Sequence, residues 1–221
     1  MSNVIKRLFK KHCSGLYNLD LKIKYRLRGR PGRCGETSKA KSRRTREDFF
    51  NRYCSGRGLD VGFGGDLLTE NCRGYDFEHG NAQRLRSIRD EQFDFVYSSH
   101  TLEHMDDPAV ALKNWWRILK KGGHLILYIP HRDLYEKKTM LPSRWSNDHK
   151  HFFVIDKSEG PDTIGLKQLI VSTLASFEIV YIKECNEGHT VTAPDLPSDG
   201  EYSIEAVIKK HPEKFIDSFK G

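Results

Sequence analysis

Acidic residues are almost missing from the start of this chain. Residues 1–46 carry 15 Lys and Arg against Asp20 and Glu36 alone. The remaining 175 residues reverse the balance, with 22 Lys and Arg against 28 Asp and Glu. The overall charge of +7 therefore hides a strongly basic arm and a mildly acidic body. Cysteine is scarce as well. Cys13, Cys34, Cys54, Cys72 and Cys185 are odd in number and never form a CxxC pair, which argues against a disulfide framework or a thiolate zinc site and for reduced thiols in a cytoplasmic protein. No apolar run approaches the roughly 18 residues of a membrane-spanning helix, and no secretory h-region is visible. There is no internal repeat. A chain of 221 residues is long enough for one α/β domain with a substantial core.

Within the arm, Val4, Ile5, Leu8 and Phe9 fall on one face of a short basic amphipathic helix. Leu21 to Arg28 alternates apolar with cationic. Arg30 to Arg46 reads as a mobile basic linker. Such an arm suits an anionic membrane surface or nucleic acid, or it is simply solvated. From Glu47 the pattern becomes globular. It predicts a helix over 47–54 and strands over 57–61, up to Tyr75-Asp76, and over 93–98. A helix begins at Pro108 and stops at Gly122-Gly123, and a buried strand follows over 124–129. A helix over 164–175 and two terminal strands, 177–183 and 203–209, complete the list.

The most informative stretch is Gly58-Leu59-Asp60-Val61-Gly62-Phe63-Gly64-Gly65-Asp66, a short strand running into a glycine turn. Glycine permits positive φ and close approach to a ligand, and the turn is expected to feed a helix whose amides favour negative charge. Two further blocks follow, Phe93-Asp94-Phe95-Val96-Tyr97-Ser98-Ser99-His100-Thr101-Leu102-Glu103-His104 and Arg117-Ile118-Leu119-Lys120-Lys121-Gly122-Gly123-His124-Leu125. Over about residues 56–131 the set resembles the class I S-adenosylmethionine (SAM) dependent methyltransferases, in their small-molecule, methyltransferase-11-like branch. The resemblance implies an α/β fold: a Rossmann-like, doubly wound, mostly parallel seven-stranded sheet with a reversed edge strand over 47–221, preceded by the basic extension 1–46. A nicotinamide-dependent Rossmann enzyme is the competing reading of the glycine turn alone.

S-adenosyl-L-methionine is then the expected cofactor. The resemblance places Asp60 on its ammonium side and gives it room at Gly62 and Gly64. Asp76 is the ribose acid, with Glu78 as competitor, and Asn81 and Ala82 fall in the adenine segment. Ser99 and His100 line the methionine pocket. Asp66, where a third glycine is usual, is an N-cap or a ligand contact. Only 32 residues separate Val61 from Asp94, so the middle of the sheet is expected to be trimmed.

Methyl transfer to a hydroxyl calls for a base, and imidazole is suited to it. His131, His149 and His151 are the candidates; His104 is read as structural. With Asp133 and Asp148 these imidazoles could hold a divalent metal, but their spacing matches no metal motif and none is expected. Tyr135, Arg144, Trp145, Phe152 and Phe153 suit a lid or an acceptor platform. The expected acceptor is a small molecule, a sugar or glycan hydroxyl. The alternatives are an RNA methyltransferase guided by the arm and a non-catalytic SAM-binding protein. Ser98-Ser99-His100-Thr101 stands where an Asn-Pro-Pro-Tyr-type tetrad would mark methylation of a base amine.

Overall fold

The computed structural model describes residues 35–212. The amphipathic helix and the alternating segment expected near residues 3–12 and 21–28 lie outside the described residues. Three short helices come first: α1 (Glu36–Lys39), α2 (Lys41–Arg46) and α3 (Phe49–Tyr53). Strands β1 (Gly58–Val61), β2 (Cys72–Tyr75) and β3 (Phe93–Ser99) follow, then α4 (Pro108–Ile118) and β4 (Leu119–Pro130). After β4 come α5 (Arg132–Tyr135), β5 (Phe152–Val154), β6 (Thr163–Gly165), α6 (Leu166–Thr173), β7 (Phe177–Cys185) and β8 (Ser203–Lys210).

Six strands form the main sheet in the order β2-β1-β3-β4-β8-β7, and β5 and β6 pair separately. β1 to β4 are parallel neighbours, whereas β8 runs antiparallel to both β4 and β7. The seven-stranded expectation is thus corrected to six among the described residues, and the reversed strand lies one in from the edge. The missing strand has a simple cause. Between Tyr75 and Phe93 the chain makes only a single-turn 3-10 helix, Phe77–His79, and turns. A helix, a strand and two connections cannot fit in that length.

A second correction concerns the glycine turn. No helix follows β1; residues 62–71 are turns and bends leading directly to β2. The layer such a helix would supply comes instead from the start of the chain. Ala40, Phe49 and Tyr53 from the first three helices pack with Phe95, Tyr97, Ile126, Tyr128 and Val207 on one face of the sheet. On the other face Leu112, Trp115 and Ile170 of α4 and α6 pack with Leu59, Val61, Val96, Leu125, Leu127 and Ile129. Successive residues of β4 serve opposite layers, as strand geometry requires.

The reading of 30–46 as a mobile linker is therefore corrected for its described part. Arg44 is fully buried, donating from Nε to Glu205 at 2.7 Å and from a guanidinium nitrogen to the Tyr97 hydroxyl at 3.1 Å. Its guanidinium also lies 4.7 Å over the Tyr128 ring. Arg43 donates to both Glu201 and Glu205. Burial raises the pKa of Glu205, but Arg44 and Arg43 outweigh it and hold the carboxyl near 2. Charges that look solvated in sequence are here a dry ion-pair network closing the two ends of the fold.

α4 begins as expected, with Pro108 in its first turn and the Asp107 carboxylate accepting from Val110 N at 3.1 Å. It ends earlier than Gly122-Gly123, since the backbone is already extended at Leu119. Gly122 and Gly123 instead lie inside β4, where its register with β3 shifts. Gly122 has φ +81, and a Cβ at Gly123 would meet the Asp94 carbonyl oxygen at 2.5 Å.

Candidate active site

The carboxyl ends of β1 to β4 point to one edge of the sheet, and because β8 is reversed its first residues arrive there too. Ser203 pairs with Pro130. Open α/β sheets bind ligands at this edge.

The glycine turn is tightly held. Gly62 N donates to Tyr75 O at 2.8 Å, and Gly64 N donates to Asp76 Oδ2 at 3.1 Å. Gly62 has φ +77, and a Cβ there would approach Thr101 Oγ1 to 2.0 Å. Glycine is needed at this position because Thr101 packs onto the turn, its hydroxyl donating to Ser99 O at 2.8 Å. Gly64, with φ +56, has only the Gly62 oxygen within 4.0 Å of where a side chain would begin. It leaves open space beside the turn.

Asp60 is fully buried at the end of β1. Its Oδ2 accepts from Leu68 N at 2.9 Å, while Oδ1 has no hydrogen-bond partner. Burial pushes its pKa up to about 8, only partly countered by the Leu68 amide. Asp76 ends β2, accepting from Gly64 N and, at 2.8 Å, from Phe77 N; burial raises its pKa. Glu78 is exposed and makes no tie to the turn. Asn81 is exposed and accepts from Arg84 N at 3.0 Å, starting the turn that carries Ala82. The Ala82 carbonyl accepts from Trp115 Nε1 at 2.9 Å, which pins this segment to α4. Asp66 caps no helix. Its carboxylate accepts from Ser38 N at 2.9 Å and from the Ser38 hydroxyl, anchoring α1 beside the turn.

Ser99 is buried at the end of β3, and His100 follows with φ +45. His100 Nε2 is 2.9 Å from Ser203 Oγ and 3.9 Å from Glu36 Oε2, and its Nδ1 is 4.0 Å from Glu103 Oε1. Tyr128, Tyr135 and Tyr202 surround the ring at centroid distances of 5.7, 6.4 and 5.7 Å. Tyr135 and Tyr202 lie nearly stacked, 4.9 Å apart at 32°. The Tyr202 hydroxyl donates to Glu36 Oε1 at 2.6 Å. Burial lowers the pKa of His100.

The three imidazoles expected as bases separate. His131 caps α5: its Nδ1 accepts from Asp133 N at 3.2 Å, and its Nε2 looks toward Glu184 on β7 at 3.7 Å. Burial lowers its pKa. His151 turns toward the backbone of Met105 and Asp106 with its Nε2 unpaired, and burial lowers its pKa too. His149 alone joins the cluster. Its Nδ1 meets Glu136 Oε1 at 2.7 Å and its Nε2 faces Glu103 at 3.8 Å. Burial would lower its pKa, but the hydrogen bond to Glu136 outweighs this and raises it. His104 stands beside it, ring centroids 4.8 Å apart. Glu36, Glu136, Tyr202 and Ser203 carry no sequence signal for this site. Glu103 does, as the acid of the Leu-Glu-His block.

Residues 64–127 match the model of a methyltransferase domain. No curated protein matches the chain. Among solved structures, a SAM-dependent methyltransferase of Aquifex aeolicus is 12% identical, with 84% of this chain and 96% of that one covered and a TM-score of 0.48. One of Methanosarcina mazei is 20% identical over 71% of this chain and 93% of that one, with a TM-score of 0.45. One of Thermotoga maritima is 17% identical over 92% of this chain and 99% of that one, also with a TM-score of 0.45. No helix among the described residues is long and apolar enough to cross a membrane.

Proposed function

We propose that this SAM-dependent methyltransferase delivers its methyl group to a hydroxyl of a small acceptor of the sugar or glycan class, with His100 as the general base. The single observation that carries this reading is the setting of His100. It projects from the end of β3 among two carboxylates and three tyrosine rings, with an Nδ1 that has no hydrogen-bond partner of its own.

The residues of the turn fit the methyl donor. SAM supplies a methyl carbon on a cationic sulfur. Asp60 offers an unpaired buried oxygen to the ammonium group, Gly64 leaves space for the chain, and Asp76 retains lone pairs for the ribose hydroxyls. On the acceptor side, the Tyr135 and Tyr202 rings form a platform for a sugar face. Glu36 accepts from one of its hydroxyls. His100 Nδ1 takes the proton of the reacting hydroxyl, and Glu36, 3.9 Å from Nε2, steadies the imidazolium that results. Ser203 fixes the ring plane.

The test is His100→Gln assayed for S-adenosylhomocysteine release with a panel of sugars and glycosides, alongside calorimetric binding of S-adenosylhomocysteine. Loss of a general base lowers kcat by about 10²–10⁴-fold and leaves the cofactor affinity in place. Unchanged kcat, or loss confined to cofactor binding, would return His100 to the wall of the methionine pocket.

A further inference from the structure

Glu103 is the anomaly of this site. It is fully buried, and neither of its carboxylate oxygens has a hydrogen bond. A buried carboxylate left unpaired costs several kcal/mol or more, so such groups are ordinarily satisfied or ligate a metal. What surrounds Glu103 Oε1 is a set of imidazole nitrogens: His104 Nε2 at 3.7 Å and His149 Nε2 at 3.8 Å, with His100 Nδ1 at 4.0 Å. None of these is close enough for a hydrogen bond. One donor atom from each of Glu103, His104 and His149 lies within 4.8 Å of the other two.

The second nitrogens are already engaged. His149 Nδ1 meets Glu136 Oε1 at 2.7 Å, and Glu136 is itself buried. His104 Nδ1 lies 3.2 Å from the Asp148 carbonyl oxygen and 3.4 Å from its carboxylate. An acceptor on Nδ1 holds the proton there and leaves Nε2 bare, which is the arrangement found behind metal-bound histidines. The loop that brings His149 in is tied to Glu103 through its backbone. Lys150 N and His151 N donate to the Glu103 carbonyl at 2.8 and 3.3 Å. Donors bound about 2.1 Å from one tetrahedral ion lie roughly 3.4 Å apart, so the separations of 3.7 and 3.8 Å close by a few tenths of an ångström on binding.

We infer that Glu103, His104 and His149 bind a divalent transition cation, with Glu136 and Asp148 as the outer carboxylates that orient the two imidazoles. Two imidazoles and one carboxylate favour Mn²⁺, Fe²⁺, Co²⁺ or Zn²⁺ over Mg²⁺ or Ca²⁺. Three protein ligands leave positions open, and His100 Nδ1 lies 4.0 Å from Glu103 Oε1. The cation deepens the reading of the site given above and rests on it only for its catalytic consequence. It would hold two neighbouring hydroxyls of the acceptor and acidify the one whose proton His100 takes.

The experiment is calorimetric titration of the chelator-treated protein with Mn²⁺ and Zn²⁺, together with the visible absorption of added Co²⁺. One ion per chain is expected. Glu136→Gln should weaken binding about 10–100-fold, and Glu103→Gln and His149→Ala by at least as much. S-adenosylhomocysteine binding and the thermal melt report that each variant is folded. His104→Gln, at a more exposed position, serves where the buried variants fail that check. No saturable binding, or binding that Glu103→Gln and His104→Gln leave unchanged, overturns the inference. Methylation of a sugar hydroxyl that survives chelation would remove the cation and leave the O-methyltransferase reading intact. One-ion binding with no methylated hydroxyl would do the reverse.

Discussion

Asp60 makes the stability of this protein depend on pH. Its carboxyl is fully buried with one oxygen unpaired, and its pKa is pushed up to about 8, against roughly 3.9 in an unfolded chain. The folded state therefore binds the proton more tightly than the unfolded one. The stability this proton brings is whole below about pH 3.9 and is lost as pH rises toward 8. Each pH unit inside that window costs about 1.4 kcal/mol. Asp60→Asn keeps the shape and removes the titration. Comparing wild type with variant at two pH values cancels the amide's own packing effect. Between pH 5 and pH 8 the difference in unfolding free energy should move toward the variant by about 3 kcal/mol. For a chain of this size that equals about 6–12 °C in Tm. Urea denaturation with a constant m-value is the assay. The same substitution should weaken S-adenosylhomocysteine binding at least tenfold if Asp60 is, as proposed, the carboxylate for the ammonium. A stability difference that is flat between pH 5 and pH 8 would refute the reasoning. So would Asp60→Asn binding the ligand as tightly as wild type.

Arg44→Met should cost about 3 kcal/mol in urea denaturation, since Glu205 loses one of its two buried guanidinium partners. Adding Glu205→Gln to Arg44→Met should recover part of that loss, whereas Glu205→Gln alone should destabilise. His131→Ala should leave kcat unchanged and lower stability by about 1 kcal/mol, because its ring caps α5 instead of meeting substrate; a fall in kcat would reinstate it as a base. Gly62→Ala should destabilise by about 1–3 kcal/mol through its positive φ and the contact with Thr101, read as a lowered urea midpoint.

The parts legible in the sequence are those whose cause is local. β3 and β4 show as apolar runs because both faces are covered. α4 is announced by Asp107 and Pro108. The glycine turn shows because Gly62 and Gly64 take backbone angles that other residues resist. Asp60 and Asp76 follow from their places at strand ends. α3 was legible as the helix expected over 47–54, whereas α1 and α2 were not, because Arg43 and Arg44 look solvated until Glu201 and Glu205 arrive from β8 and the loop before it. The missing helix after β1 was hidden for the same reason, since its replacement lies upstream. In the site, Ser203 and Tyr202 enter only through the reversal of β8, and Glu136 through a loop folding back on Glu103. His131, His149 and His151 look equivalent by position. Backbone contacts send two of them away and one inward.

The pairing of Arg44 with Glu205 spans 161 residues. During synthesis α2 leaves the ribosome before β1 to β7, and its partner carboxylate on β8 only after them. Until β8 is made Arg43 and Arg44 lack Glu205, and the helices that cover Phe95, Tyr97 and Ile126 are not yet tied down. Arrival of β8, more than completion of any one motif, is what closes this network. A fragment lacking α2 or β8 should expose the same apolar face.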